Sequence, residues 1–177
     1  FLPPDHPAMQ HRARNEEWHS DSSFKPVAAL ASLLASRIVP PVGGDTGLAS
    51  ARAAWADLPA GRKAVLEGLT ALHRMTLRDA DNDKGYKDED KKRHVVTHPL
   101  VRAAEGARLI DELTAYCTQA RYVYSHHWRD GDAVLWDNRC TLHRATTYDM
   151  TRYKRRLHRT TIAGKTPDSA FATMPGA

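Results

Sequence analysis

Two side chains near the start of the sequence, His19 and Asp21, are separated by a single residue. In an extended segment both point to the same face, because side chains alternate with a period of two. An imidazole and a carboxylate on one face could supply two of the three ligands of a two-His, one-carboxylate site for non-haem Fe(II). The spacing alone is a weak signal, since the chain contains 10 histidines and many acidic residues.

A third candidate ligand, His143, lies far along the chain in the run Asn-Arg-Cys-Thr-Leu-His. A metal site needs only that its ligands converge in space, so the separation in sequence is acceptable. Cys140 and His143 also have a spacing that zinc sites use. The remaining thiol, Cys117, falls in a predicted helix without a paired ligand, so structural zinc is the weaker interpretation.

The composition is that of one globular domain. The 177 residues are 41% hydrophobic and 27% charged, and this length suffices to bury a core. No apolar run reaches the length of a membrane span, and no signal peptide is recognisable. Two cysteines are too few for a disulfide scaffold, so we expect a reducing, cytoplasmic setting.

Hydrophobic periodicity and turn residues predict a mainly β protein with flanking helices. The apolar run 28–39 fits a helix or a buried strand, and an Ile-Val pair before two prolines favours a strand end. Short strands joined by tight turns favour a sandwich or jelly roll. Helices are predicted at 48–57, 61–73 and 104–119, strands at 122–128, 133–136 and 157–162, and a solvated loop or lid at 78–93.

A cluster of basic residues precedes and enters the last predicted strand; its members are Arg152, Lys154, Arg155, Arg156 and Arg159. On a strand, Arg155 and Arg159 share one face at a separation of roughly 13 Å. They are too far apart to clamp one carboxylate together, but they could hold two separate anionic groups near the metal. A nucleic-acid phosphate backbone and a solvated strand edge are the alternative interpretations of this cluster.

Four blocks of sequence, taken together, resemble one family. The blocks are Trp-His-Ser-Asp-Ser-Ser-Phe, Val-Pro-Pro-Val-Gly-Gly-Asp-Thr, Trp-Asp-Asn-Arg-Cys-Thr-Leu-His-Arg-Ala and Arg-Arg-Leu-His-Arg-Thr-Thr. In this order they resemble the TauD/TfdA family of Fe(II)- and 2-oxoglutarate-dependent dioxygenases. The residues of these blocks are more similar to the phenoxyacetate branch of that family than to the taurine branch.

The resemblance implies roles for individual residues. His19, Asp21 and His143 match the iron ligands. Thr46 matches the residue that hydrogen-bonds the far carboxylate of 2-oxoglutarate, and Arg155 matches the salt-bridge partner of that carboxylate.

Further matched positions concern the substrate. Arg159 matches a second arginine near the metal, associated with the anionic group of the substrate or the inner carboxylate of 2-oxoglutarate. The positions expected to contact substrate are Asn15, Ser20, Ser22, Phe24 and Arg159. Trp128 and Trp136 match aromatic positions near the site, for which core packing is an equally good explanation.

The resemblance also implies a double-stranded β-helix core, of the jelly-roll or cupin type, in a single dioxygenase domain over residues 1–177. Relative to the family pattern the chain has a short N-terminal portion. The step from Arg102 to Ala103 looks like a junction across missing residues. We expect a homo-oligomer that binds neither nucleic acid nor membranes.

The implied activity is hydroxylation of a small anionic substrate with Fe(II), 2-oxoglutarate and O2. An aryloxyalkanoate such as a phenoxyacetate, cleaved at its ether, is the expected substrate, and an alkylsulfonate of the taurine type is the alternative. Two other classes of protein stay open: a non-catalytic cupin-like binding module, and a nucleic-acid-binding protein that uses the basic cluster.

Overall fold

The computed structural model describes residues 15–23, 25, 27–67, 69, 71–74, 95–98 and 105–164. The predicted loop or lid at 78–93, Phe24 and the step from Arg102 to Ala103 lie outside these residues. The described part is mainly β with a few helices, as predicted. Its strands are β1 (Ala29–Ile38), β2 (Thr46–Ser50), β3 (Ala71–Arg74), β4 (Val95–His98), β5 (Val123–His126), β6 (Ala133–Asp137), β7 (Thr141–Ala145) and β8 (Arg156–Ala163). Its helices are α1 (Ala51–Asp57), α2 (Ala60–Leu66) and α3 (Glu105–Cys117), with a short 3-10 turn at Ala120–Tyr122.

The apolar run at 28–39 forms β1, the central strand of an antiparallel sheet with the order β6-β1-β8. This outcome resolves the ambiguity between helix and strand in favour of a strand. Ser32 pairs with Trp136 on one side and with Thr161 on the other, and Leu34 pairs with Arg159. Since side chains alternate across a strand, Ser32, Leu34 and Ser36 point to the same face of this sheet.

A second antiparallel sheet has the order β5-β2-β7. In it Leu48 lies opposite His143, and Thr46 lies opposite Ala145. The prediction of a helix over 48–57 is therefore wrong for its first residues, which form the end of β2. Pairing with two neighbouring strands overrides the local helical pattern, because strand formation depends strongly on such context.

Helix α1 begins directly after β2, where the Ser50 hydroxyl accepts a hydrogen bond from the Ala53 backbone N–H at 3.1 Å. Such a cap satisfies one of the unpaired N–H groups of the first turn. The helix predicted at 61–73 ends earlier, at Leu66, and residues 71–74 pair with 95–98 as a two-stranded ladder. The prediction was wrong there because a partner strand distant in sequence decides the conformation.

Helix α3 confirms the helix predicted at 104–119, with slightly tighter limits. One apolar side chain of this helix, Ile110, is 45% exposed. None of the helices in the described part of the chain has both the length and the apolar character needed to cross a bilayer.

Candidate metal centre

The backbone brings His19 next to His143. The His19 N–H donates to the His143 carbonyl at 3.0 Å, and the His143 N–H donates to the His19 carbonyl at 2.8 Å. This antiparallel bridge fixes the segment before Asp21 against β7. After Asp21 the chain turns, with Ser22 at a φ of +58°, an uncommon value for a residue other than glycine.

Three ligand-type side chains converge at this bridge. His19, Asp21 and His143 each offer one nitrogen or oxygen atom, and these atoms all lie within 4.8 Å of one another. His19 uses its Nδ1 atom in a 2.8 Å contact with the Glu17 carbonyl, which leaves Nε2 for another partner. The structure thus brings together the three residues that the sequence singled out for metal binding.

Both oxygens of the buried Asp21 carboxylate receive hydrogen bonds. The Ser32 hydroxyl donates to Oδ2 at 2.6 Å, and Arg159 Nη1 donates to Oδ1 at 3.0 Å. Asp21 is only 8% exposed, so its charge would be costly without such partners. These contacts hold the carboxylate in one orientation beside the two imidazoles.

His143 is also buried, and its ring is held mainly by packing. Its Nε2 atom lies 3.7 Å from Asp21 Oδ2, whereas its Nδ1 atom is buried without a hydrogen-bond partner in the described part of the chain. The ring centroid is 4.2 Å from that of His19 and 4.7 Å from that of Trp136. Burial lowers the pKa of His143 to about 4, and repulsion from His19 acts in the same direction. At neutral pH the imidazole is therefore uncharged, which is the form that binds metals.

The donor set fits a divalent transition metal. Two imidazoles and one carboxylate on one side of a site are the ligands of the facial arrangement used by non-haem Fe(II) oxygenases, which leaves positions open for other ligands. Within the described residues no other cluster of three or more His, Cys, Asp or Glu side chains has ligand atoms this close. His19, Asp21 and His143 are thus the residues that could hold the ion.

A second set of polar contacts involves Thr46, which lies at the start of β2 and is 2% exposed. Its hydroxyl oxygen accepts a hydrogen bond from Trp128 Nε1 at 3.0 Å and lies 3.4 Å from Arg155 Nη2. Arg155 is anchored by its Nε atom, which donates to the Gly44 carbonyl at 2.7 Å. The structure thus brings Thr46 and Arg155, predicted as partners of one carboxylate, into contact.

A cavity of about 510 Å³ opens beside the triad and has two cationic lining residues, Lys25 and Arg159. Of the residues predicted to contact substrate, Asn15, Ser20, Ser22 and Arg159 line this cavity, and Phe24 lies outside the described residues. Ser20 also donates its hydroxyl hydrogen to the Asn138 carbonyl at 2.8 Å, so it connects the segment that carries His19 and Asp21 to the turn before β7.

Sequence reasoning missed the polar residues behind Asp21. Ser32 lies in an apolar run, where only its polarity within a buried strand could have drawn attention to it. Asn138 lies in the turn before β7, yet it is 6% exposed and donates to Ser32 Oγ at 2.9 Å. Their partners are distant in sequence, so no local pattern predicts the contact.

Gly44 allows Arg155 to approach Thr46, and we expect Gly44→Ala to lower the free energy of unfolding by about 2–3 kcal/mol. Its φ is +71°, and an added Cβ would lie 2.7 Å from Pro40 Cγ and 3.1 Å from Arg155 Cδ. The left-handed backbone alone costs a residue with a Cβ about 1–2 kcal/mol, and the crowding adds to this cost. Urea unfolding measures the loss.

Gly131→Ala is the matched control. Gly131 also has a positive φ, +88°, but an added Cβ would meet nothing within 4 Å. We expect this variant to lose only the backbone contribution, about 1–2 kcal/mol. Equal losses in the two variants would show that the crowding at Gly44 is unimportant.

The chain matches a family model over most of its length. The model described as "Taurine catabolism dioxygenase TauD, TfdA family" matches residues 2–105 and 102–161. The two matched stretches meet around the step from Arg102 to Ala103.

Curated relatives are similar to the chain over most of its residues. The chain is 38% identical to an alpha-ketoglutarate-dependent 2,4-dichlorophenoxyacetate dioxygenase of Burkholderia sp. (strain RASC), over 85% of this chain and 59% of that protein. It is 36% identical to an (S)-phenoxypropionate/alpha-ketoglutarate-dioxygenase of Sphingobium herbicidovorans, over 85% of this chain and 63% of that protein. The chain thus spans about three fifths of the length of these relatives.

A solved structure agrees with these similarities. The crystal structure of AAD-2 in complex with Mn(II) and N-oxalylglycine superposes with a TM-score of 0.76 at 35% identity, covering 89% of this chain and 72% of that one. That neighbour shares the fold of the described part. Together with the family match and the converging His19, Asp21 and His143, it leads to one conclusion: the chain belongs to the TauD/TfdA family of dioxygenases.

Proposed function

We propose that the protein is an Fe(II)- and 2-oxoglutarate-dependent dioxygenase that hydroxylates a small anionic substrate. The observation that carries the proposal is the convergence of His19, Asp21 and His143, whose ligand atoms lie within 4.8 Å of one another. The Thr46–Arg155 contact adds a neighbouring site for the far carboxylate of 2-oxoglutarate. Membership of a dioxygenase family supports the same reaction class.

Each residue has a defined task in this proposal. His19, Asp21 and His143 hold Fe(II), which together with 2-oxoglutarate and O2 supplies the oxidising chemistry. Arg155 places its guanidinium beside Thr46, where the two side chains can both donate hydrogen bonds to one carboxylate; guanidinium is well suited to this because it presents parallel donors. Arg159, bound to Asp21 Oδ1, lies at the border between the triad and the cavity.

The cavity is suited to an anionic substrate, because two cationic residues, Lys25 and Arg159, line it beside His19 and Asp21 of the triad. We propose an aryloxyalkanoate, hydroxylated next to its ether oxygen so that the ether is then cleaved. Relatives named for 2,4-dichlorophenoxyacetate and for (S)-phenoxypropionate support this choice. An alkylsulfonate or sulfate ester is the second candidate, supported by a relative named for sulfate esters at 28% identity.

We further propose that the two three-stranded sheets belong to a double-stranded β-helix and that residues are missing between Arg102 and Ala103. Two observations support the second point. The family model matches in two stretches that overlap at 102–105. The alignment with the Burkholderia relative runs over 179 positions while covering 85% of this chain, so the relative has residues that this chain lacks.

Release of succinate from 2-oxoglutarate tests the function. We expect release that depends on Fe(II) and rises when a phenoxyacetate or phenoxypropionate is added, with a smaller response to alkylsulfonates. A protein that binds Fe(II) but whose succinate release does not respond to any of these substrates would instead be a non-catalytic cupin-like binding module.

Trp128 offers a finer test of the 2-oxoglutarate site. A threonine hydroxyl has one hydrogen to donate and two lone pairs that accept. Because Trp128 Nε1 donates to Thr46 Oγ1 at 3.0 Å, the oxygen accepts there and its own hydrogen is directed to another acceptor. We expect Trp128→Phe to raise KM for 2-oxoglutarate roughly 3- to 10-fold, the worth of one hydrogen bond of about 1 kcal/mol, while kcat changes less.

Trp55→Phe is the control for Trp128→Phe, since Trp55 lies on α1 and its ring faces Lys63 Nζ at 5.9 Å. We expect this variant to keep the wild-type KM. Steady-state kinetics with 2-oxoglutarate as the varied substrate gives both KM values. An unchanged KM in Trp128→Phe would show that Trp128 does not contribute to binding of 2-oxoglutarate.

A further inference from the structure

Ser32 occupies an unusual environment for a serine. It lies in the middle of β1 and is 0% exposed, among neighbours that are mostly apolar. Serine is rarely buried completely, and a buried hydroxyl is costly unless it is hydrogen-bonded. The hydrogen-bond partners of the Ser32 hydroxyl, Asp21 and Asn138, indicate its role.

Three buried hydrogen bonds connect the core to the metal-binding carboxylate. Trp136 Nε1 donates to Asn138 Oδ1 at 2.8 Å, Asn138 Nδ2 donates to Ser32 Oγ at 2.9 Å, and Ser32 Oγ donates to Asp21 Oδ2 at 2.6 Å. All four side chains are less than 10% exposed. We call this chain of contacts the Asp21 relay.

The chemistry of the groups allows only one direction in the Asp21 relay. An indole N–H can only donate, so the Asn138 oxygen must face Trp136 and its NH2 group must face Ser32. The serine oxygen then accepts, and its own hydrogen is left for the carboxylate. An ionised carboxylate only accepts, so Asp21 is the natural end of the sequence of donors.

We propose that Trp136, Asn138 and Ser32 are positioning residues that fix the Asp21 carboxylate for metal binding. This inference depends on one part of the proposed function, namely that His19, Asp21 and His143 bind a divalent metal. Asp21 Oδ2, the end of the relay, is the oxygen 3.7 Å from His143 Nε2. Outer partners of metal ligands orient them and raise affinity, and their loss typically weakens metal binding about 10- to 100-fold.

Ser36 provides a matched control in the same strand. It is 2% exposed, lies on the same face of β1, and its hydroxyl donates to the Arg129 carbonyl rather than to a metal ligand. Ser32→Ala and Ser36→Ala therefore delete the same atom from equally buried sites. Both are expected to lower the melting temperature, but only the first acts on Asp21.

The test measures the affinity of the full chain for Mn(II) alone, by the EPR signal of the free ion, on variants that show a cooperative melting transition. We expect Ser32→Ala to bind Mn(II) about 10- to 100-fold more weakly than wild type, and Ser36→Ala to bind as wild type does. Ser32→Thr, which keeps the hydroxyl, is expected to stay within about threefold of wild type. Asn138→Ala removes the hydrogen bond that orients the Ser32 hydroxyl, so we expect it to weaken Mn(II) binding. This variant tests the proposal if Ser32→Ala does not fold.

Wild-type affinity in folded Ser32→Ala or folded Asn138→Ala would overturn the proposal, as would an equal loss in Ser32→Ala and Ser36→Ala. Failure of Ser32→Thr to retain affinity would also overturn it. The proposed function is tested separately: a wild-type protein that binds Mn(II) but never releases succinate refutes the dioxygenase activity and leaves the Asp21 relay standing. A wild-type protein that binds no Mn(II) refutes both.

Discussion

Replacing His143 by alanine is expected to abolish metal binding and to lower substrate-dependent succinate release roughly a thousandfold or more, because the proposed reaction depends on the ion. His143 lies in β7 opposite Leu48 and is bridged to His19 by two backbone hydrogen bonds. The backbone at this site is therefore fixed by the sheet, and the substitution removes the ligand without removing the strand. Succinate release and Mn(II) binding measure the two effects.

His127→Ala is the control for His143→Ala. The His127 side chain is 82% exposed, and its Nδ1 atom lies 2.8 Å from Asp45 Oδ2. We expect this variant to keep wild-type Mn(II) binding and succinate release. If His143→Ala retained metal affinity close to that of wild type, His143 would not be a ligand.

Replacing Arg155 by alanine is expected to raise KM for 2-oxoglutarate about 30- to 4,000-fold. Loss of one partner from a buried, hydrogen-bonded charge pair costs about 2–5 kcal/mol, and each 1.4 kcal/mol corresponds to about a factor of ten. Arg155→Lys keeps the charge but loses the parallel donors, so its KM is expected to lie between those of wild type and Arg155→Ala. Kinetics with varied 2-oxoglutarate measures the series.

Arg156→Ala controls for a general loss of positive charge near the site. Arg156 is the next residue in the chain, begins β8 and is exposed. Arg155 instead contacts the Gly44 carbonyl and Thr46, so we expect the exposed Arg156 to be replaceable with the wild-type KM retained. Equal effects of the two substitutions would mean that the basic cluster acts only through its overall charge.

The sequence predicted the parts of the structure that local patterns determine. Strands β5, β6 and β8 and helix α3 were predicted from strand patterning, tight turns and helical periodicity, whereas the apolar run that forms β1 fitted either a helix or a strand. Residues 48–50 of β2 and 71–73 of β3 were predicted as helix, and this prediction was wrong because the conformation of these residues depends on partner strands elsewhere in the chain. Ser50, the last residue of β2, caps helix α1, so the predicted helix begins only at Ala51.

The candidate site divides in a similar way. His19, Asp21, His143, Thr46 and Arg155 were predicted from residue type, spacing and family resemblance; the structure brings the first three together and places Arg155 in contact with Thr46. The Asp21 relay was not found, because Ser32 and Asn138 are 106 residues apart and each looks ordinary in its own segment. Hydrogen bonds between distant side chains are a property of the folded packing.

Anaerobic titration of the full chain with Fe(II) and 2-oxoglutarate tests the central claim most directly, since bidentate binding of the keto acid to Fe(II) gives a visible charge-transfer band. We expect wild type to develop the band to saturation and His19→Ala to develop none. Absence of the band in wild type, or an undiminished band in His19→Ala, would contradict the assignment of His19, Asp21 and His143 as the iron ligands.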